Sequence, residues 1–563
     1  MITADAIEAG NGGKVIVWAD ETTIYNGGIS AQGGSESGDG GFVEVSGKEN
    51  LAFYGDVSTD AVNGEKGQLL LDPTTIVITT GEADDEDEDQ DGVLAVNLGG
   101  VTDLFKNTGT GEYTFSEGKL NDLLDSNSVT LAATESITIE GLDNTNDTTS
   151  VNLTLIADEI NIKNASITFT QGGSVNLLVT TGSGGTGITE GTINLKENTE
   201  ITTALGDINM SEVVTISDGS NTPGSTNVAS TVNIKSATNN DVVTLDSGSG
   251  SINLGNVVFE DNTSVLNIGA SQVGSVSADS FGANSGVTGT LGFNTDIAGL
   301  ITLNGGINVN TLNVNHTSGI STNSTVSANT TNLYGDLTST GAQSLSTTNV
   351  LGSASISANA STINAANIII SNGETLTIGA NHSGKITVTA DTGINGTGTL
   401  TVANNDDNDV MLDIESVINV GTLNQNDATG LKISGVTEGN VENSLTASTT
   451  LLNGGLDVNG ILEMGALTVN TASTISSNAD NTSINANTVT LNSNLTLSDN
   501  SSLGAITVSG NSTLISGTNQ ISSSGISIDG TNKLIIGDTT QTGKIPVTGT
   551  GITGSTGTLE FAN

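Results

Sequence analysis

Apolar and polar residues alternate in short runs along this chain, and Gly, Asn, Asp and Ser cut the runs apart. Gly12-Gly13-Lys14-Val15-Ile16-Val17-Trp18 leads through a turn to Thr22-Thr23-Ile24-Tyr25. About 28 residues on, Gly40-Gly41-Phe42-Val43-Glu44-Val45-Ser46 leads to Leu51-Ala52-Phe53-Tyr54. A third copy opens with Gly67-Gln68-Leu69-Leu70-Leu71-Asp72-Pro73 and continues as Ile76-Val77-Ile78. A period of two is the signature of strands. Self-similarity at this spacing predicts stacked repeats, with three short strands and about 20 to 28 residues per coil. The predicted fold is all-β, a parallel β-helix in which like side chains sit above like. Val43 and Val45 then point inward, between Val15 and Val17 on one side and Leu69 and Leu71 on the other. Glu44 faces water, because a lone carboxylate in a dry core costs too much. The core is predicted to be Val, Ile, Leu and Ala, with Thr, Ser and Asn outward. Inward Asn at turns would stack into amide ladders.

The alternation divides the chain into three stretches. Residues 1–80 hold the echo. Residues 81–128 break it with an acidic run, Asp84 to Asp91, and a short helical segment. There Ser116 is an N-cap candidate, and Leu120, Leu123 and Leu124 share one face. This helix is expected near Lys119–Leu124, capping or decorating the β-helix. Pro73 should close its strand, since it cannot donate to a ladder. Residues 129–563 resume short strands in a Ser/Thr/Asn/Gly-rich array, beginning at Val129-Thr130-Leu131, Ile137-Thr138-Ile139 and Ile160-Asn161-Ile162.

The stretch GDGGFVEVSGK, Gly38 to Lys48, with GQLLLDPTTIVI, Gly67 to Ile78, resembles filamentous-haemagglutinin-type exoproteins of bacterial two-partner secretion systems. GNGGKVIVWADETT, Gly10 to Thr23, and LNDLLDSNSVTLAATESITI, Leu120 to Ile139, are similar to them as well. The resemblance covers residues 10 to 140; beyond that only composition and repeat style agree. It implies a right-handed parallel β-helix, into which the helical and acidic stretch read above would be inserted, and, with the family's amino-terminal secretion domain not visible, an internal or truncated portion of a larger exoprotein. It also implies export through a partner outer-membrane transporter, a secreted or cell-surface location, and adhesion to host or neighbouring-cell receptors or glycans.

Composition narrows the function classes. Aromatics are 2% of the 563 residues, so no large aromatic core is available. Gly is 73 and Pro 3, which argues against collagen and Pro-rich linkers. With 12 basic residues, all Lys, against 61 acidic ones, the net charge of −49 repels nucleic acid and anionic membranes. Cys is absent, so disulfide and thiolate chemistry are excluded. No run of 18 apolar residues offers a membrane-spanning helix, and the opening Met1-Ile2-Thr3-Ala4-Asp5 lacks the basic and apolar regions of a signal peptide. If the protein is exported, its signal lies outside this segment.

Candidate chemistry is sparse. Asp87, Asp89 and Asp91, followed by Gly92, form the first half of a calcium loop. Position twelve is Leu98 where a bidentate carboxylate is needed, so a solvated acidic loop competes with metal binding. No other cofactor is indicated. Gly182 to Gly187 lacks the Lys-Ser/Thr ending of a P-loop. His316 and His382 are expected as exposed turn residues. Trp18, Tyr25, Phe42, Phe53 and Tyr54 could form a sugar-stacking patch, or pack between coils. The reading that these features favour is a structural, non-enzymatic segment of a surface adhesin. Two others stand beside it. A β-helix polysaccharide lyase or hydrolase would need clustered carboxylates, and often Arg, which is absent. A stalk could instead carry a distant toxin or binding domain.

Overall fold

The computed structural model describes residues 1–48, 50–79, 112–140, 142–146, 150–169, 173–180, 192–196, 199–203, 208–213, 231–235, 242–246, 251–259, 262–269, 275–282, 288–294, 301–379, 386–388, 393–403, 411–434, 443–477 and 484–562. The acidic run with Asp87, Asp89 and Asp91, the Gly182–Gly187 loop and His382 lie outside them. The chain forms a parallel β-helix whose residues group into two compact units, Met1–Val309 and Asn310–Asn563. Its sheets do not close on themselves: strands pair in parallel with their equivalents in neighbouring coils.

In the first unit the coils are stacked as three ladders. The first begins with Lys14–Ala19 on Phe42–Gly47 on Gln68–Asp72. Its register is the one the echo predicts: Val15 pairs with Val43 and Val17 with Val45, then Val43 with Leu69 and Val45 with Leu71. The column continues through Val129, Leu153, Val175, Ile208, Ile252, Val276 and Ile301. Val43, Val45, Leu69 and Leu71 are all 0% exposed. Alternation forces this arrangement, because a slip of one residue would turn every aliphatic side chain to water. The strand Gln68–Asp72 ends directly before Pro73, as its missing N–H requires.

The second ladder starts with Thr22–Tyr25 on Asn50–Phe53, and the third with Ile2–Thr3, Gly28–Ser30 and Asp56–Ser58. Among the described residues of the third ladder, Asp56–Ser58 pairs only with Gly28–Ser30, and Asp143–Asn146 only with Ser166–Phe169. The helix Glu117–Ser126 packs against both open edges. It therefore stands in for a strand within the ladder and does not merely cap or decorate the coil as expected. The helix has the right face for the role: Leu120, Leu123 and Leu124 are buried. Asn127, which follows the helix, is 0% exposed. Its Nδ2 donates to the carbonyls of Val57 at 2.9 Å and Leu123 at 2.8 Å. Its Oδ1 accepts from the Thr59 backbone N–H and from Thr59 Oγ1, both at 2.8 Å.

From Ser251 the coil changes design. The single strand Ser251–Phe259 pairs with Ile208–Val213 along its first half and with Thr231–Lys235 along its second. Two ladders are now served by one strand. In the second unit this becomes the rule. Eight-residue strands such as Val326–Leu333, Gln343–Val350 and Ile363–Ile370 alternate with short ones of three or four residues, such as Leu337–Ser339 and Ala354–Ser357. In Val326–Leu333 the side chains of Val326, Ala328, Thr331 and Leu333 are buried, while Asn329 and Thr330 are both turned out. Two adjacent outward residues mark the bend where the strand rounds a corner. Some coils shrink to 17 residues, as in Val326 on Gln343, Leu445 on Leu462 and Ile484 on Ser501. That is shorter than the alternation predicts, because the bend replaces a loop.

The core is less purely aliphatic than expected. Thr331 and Thr348 stack inward on one another, and Thr450 lies between Leu423 and Leu467; all three Thr are 0% exposed with no partner for Oγ1. β-Branched Thr has the shape of Val, so the column packs although each hydroxyl forfeits its hydrogen bonds. Gln343 is also inward, but its Nε2 donates to Ser357 O at 2.7 Å and Ser339 Oγ at 3.1 Å. The Asn stacks likewise depart from expectation. They run along outward strand positions, as in Asn313–Asn332–Asn349, with amide spacings of 2.7 and 2.8 Å.

Candidate functional site

The outward side of the first ladder carries a polar array that runs across several coils. Positions between the inward aliphatics line up as Thr130, Thr154, Asn176, Asn209, Asn253 and Ser277. From Thr154 onward they are joined side chain to side chain. Asn176 Nδ2 donates to Thr154 Oγ1 at 3.2 Å, Asn209 Nδ2 to Asn176 Oδ1 at 2.8 Å, and Asn253 Nδ2 to Asn209 Oδ1 at 2.7 Å. Ser277 Oγ donates to Asn253 Oδ1 at 2.8 Å. Each amide uses one donor and one acceptor along the row, and its remaining hydrogen-bonding capacity is available to the side. Neighbouring rungs are roughly 4.8 Å apart. A groove of about 580 Å³ lies over the early part of this row, lined by Lys14, Phe42, Gln68, Thr130, Thr154 and Asn176 among others. Lys14 Nζ sits 4.9 Å above the Phe42 ring, and Gln68 Nε2 donates to Thr130 Oγ1 at 2.7 Å. The alternation predicts outward Thr and Asn but not their continuity, because the register across coils of unequal length is not visible in the sequence.

The aromatic residues do not form one patch. Tyr25 and Phe53 pair across coils with ring centroids 5.1 Å apart, and both are buried. The Tyr25 hydroxyl donates to Asp56 O at 3.0 Å; burial, then the Asp56 charge, pushes its pKa to about 12. Lys119 of the helix lies 5.9 Å from the Phe53 ring and 3.1 Å from Asp56 Oδ1. Phe42 is half-buried, whereas Trp18 and Tyr54 are exposed. His316, expected in an exposed turn, is buried instead, with Nδ1 3.0 Å from Gly319 O. A close backbone turn encloses the ring, which the polar Asn-His-Thr context does not reveal. Among the described residues, no group of three or more His, Cys, Asp and Glu could hold a metal ion, and no helix is long and apolar enough to cross a membrane.

One outward carboxyl is unusual. Asp72 lies opposite Ser46 and next in its row to Ala132, which packs with Ile156, Leu178 and Leu70 in an outer apolar cluster. Burial, and secondly the Glu44 carboxylate, push the Asp72 pKa from 3.8 up to about 6. Glu44 itself accepts from Ser46 Oγ at 3.0 Å. Between about pH 4 and 6 the unfolded chain has released this proton while the folded chain holds it, so stability falls as pH rises through that window. Asp72→Asn is therefore expected to stabilise the first coils by on the order of 2 kcal/mol at pH 7.5 and by almost nothing at pH 4. Paired thermal melts at the two pH values measure the difference, and an equal shift at both would refute the assignment.

No protein-family model matches the chain, and no curated protein matches it.

Proposed function

We propose that this chain is a structural, non-enzymatic segment of a secreted or surface-displayed bacterial adhesin of the filamentous-haemagglutinin type, exported through an outer-membrane partner. The observation that carries the reading is the row from Thr130 to Ser277, a rigid array of amides and hydroxyls at fixed spacing on a parallel β-helix. Such an array suits many weak hydrogen bonds to an extended polar polymer such as a surface glycan, and repetition turns weak contacts into retention. The resemblance of Gly10–Thr23, Gly38–Lys48 and Gly67–Ile78 supports the adhesin class. The net charge of −49 keeps the exterior apart from nucleic acid and anionic lipid.

Beads coated with the purified chain are expected to be retained on glycan-coated surfaces and on cells. Exchanging Thr154 and Asn176 together for Ala should lower retention several-fold without shifting the melting temperature. Retention unaffected by these exchanges would remove the row from the function. Polysaccharide turnover abolished by replacing a single Asp or Glu would replace the reading with a lyase or hydrolase.

A further inference from the structure

The methionines of the chain are Met1, Met210, Met411 and Met464. Met210 and Met464 are inward and buried, at 1% and 3% exposure, and Met1 is exposed. Met411 is half-buried, immediately before the short strand Leu412–Glu415 of the second unit.

The register of the short strands shows what lies beside it. Leu412 pairs with Leu431, and Leu431 with Leu456, so Met411, Gly430 and Gly455 occupy one column in three successive coils. Neither glycine has a side chain to fill that column, and the Met411 thioether lies along it. A Cβ at Gly430 would collide with Met411 Cε, and one at Gly455 would stand 3.1 Å from it. Gly430 is called for by its own φ of +112°. Gly455 has no such constraint: apart from Met411 Cε, its Cβ would approach only Thr474 O, at 3.6 Å. The slot over the two glycines is therefore filled by the methionine methyl. Leu412, Leu431 and Leu456, one residue further along each strand, are buried.

An unbranched thioether suits this slot because it is apolar and flexible. Its sulfoxide does not, since it carries an accepting oxygen on a bulkier, chiral centre. Two N–H groups at the slot are already in use: that of Gly430 donates to Asp427 O at 3.1 Å, and that of Leu431 to Gly455 O at 3.0 Å. A sulfoxide oxygen held there would lose its hydration against a carbonyl and spent donors, so it must turn to water and carry the methyl off the glycines.

We propose that Met411 is a modification site, where a peroxide oxidises the thioether and the product leaves the glycine slot, loosening the coils that the side chain spans. A lone pair on Sδ attacks one oxygen of hydrogen peroxide and the O–O bond breaks. The second oxygen leaves as hydroxide and takes the proton of the first, giving sulfoxide and water. Sulfur loses two electrons and the peroxide gains them. The inference is independent of the adhesion reading.

The test treats the full chain with dilute hydrogen peroxide and follows peptide masses and amide hydrogen exchange. Met411 is expected to gain oxygen at least about tenfold faster than Met210 and Met464. Exchange across 412–415, 431–434 and 456–458 should then speed up at least about fivefold, with 326–350 unchanged. Met411→Leu keeps an apolar side chain over the glycines, so exchange should match the untreated chain and stay there after peroxide. Gly455→Ala crowds the methyl and should raise both the oxidation rate at Met411 and the local exchange before any peroxide is added. Oxidation of Met411 no faster than that of the buried pair, or a sulfoxide at 411 that leaves exchange unchanged, overturns the proposal. So does acceleration that persists in Met411→Leu, or a Gly455→Ala chain that behaves like the parent.

Discussion

Val43→Asp is expected to open the first coils of the β-helix at neutral pH. Val43 is 0% exposed, between Val15 of the coil before and Leu69 of the coil after. A carboxylate there has aliphatic neighbours on both sides. Its ionised form loses hydration without a counter-charge, at a cost of several kcal/mol. The loss is local, since a solenoid coil is held only by its neighbours. Hydrogen exchange should therefore accelerate across residues 14–79 and stay unchanged beyond Asn310. Glu44→Lys, one position along, is the control. Glu44 is outward and half-buried, and its charge raises the pKa of Asp72. A lysine there exchanges repulsion for attraction, so the change should be neutral or stabilising by less than about 1 kcal/mol. If Glu44→Lys proved the more damaging of the two, the inward face of this strand would be misassigned.

The pair shows what the sequence made legible. The echo between Gly12–Trp18 and Gly40–Ser46 determines which residues face inward and which residue lies above which, because β-side chains have a period of two. It cannot show that Glu44 has Asp72 for a neighbour, since that contact crosses coils on the outer face. The same limit applies to the array from Thr130 to Ser277. Outward Thr and Asn are readable one strand at a time. Their stacking depends on coil steps that range from Leu153 on Val175 to Ile208 on Ile252, with the loops between them unequal.

The second unit was harder to read for a reason of chemistry. In Val326-Ser327-Ala328-Asn329-Thr330-Thr331-Asn332-Leu333 the phase of the alternation shifts at Asn329-Thr330, where two outward residues adjoin. A phase shift of this kind looks like the end of one strand and the start of another, whereas here it is a bend within one. Thr331 compounds the ambiguity. It is a polar residue at an inward position, so polarity no longer reports the face. The calcium candidates Asp87, Asp89 and Asp91 gain nothing from the fold, since they lie outside the described residues.

Asn127→Ala is expected to be among the most destabilising single changes outside the aliphatic columns. The helix Glu117–Ser126 can substitute for a strand only if its end is tied to the ladder, because a helix cannot offer strand hydrogen bonds to its neighbours. Asn127 is that tie. Its amide donates to Leu123 O, one of the terminal helix carbonyls that lack an intrahelical partner, and to Val57 O at the open strand edge. Its carbonyl receives both donors of Thr59. Truncation leaves two backbone carbonyls and one N–H buried without partners, at about 1–3 kcal/mol each before relaxation. A net loss of roughly 3–5 kcal/mol follows if water enters to serve some of them. Asn127→Asp tests the mechanism separately from size. The carboxylate still accepts from Thr59 through one oxygen but turns the other toward the carbonyls of Val57 and Leu123, so it should rescue little at pH 7. Denaturant melts combined with hydrogen exchange at residues 56–59 and 117–126 would follow both variants. Full rescue by Asp would show that the donors to Val57 and Leu123 do not hold the helix in the ladder.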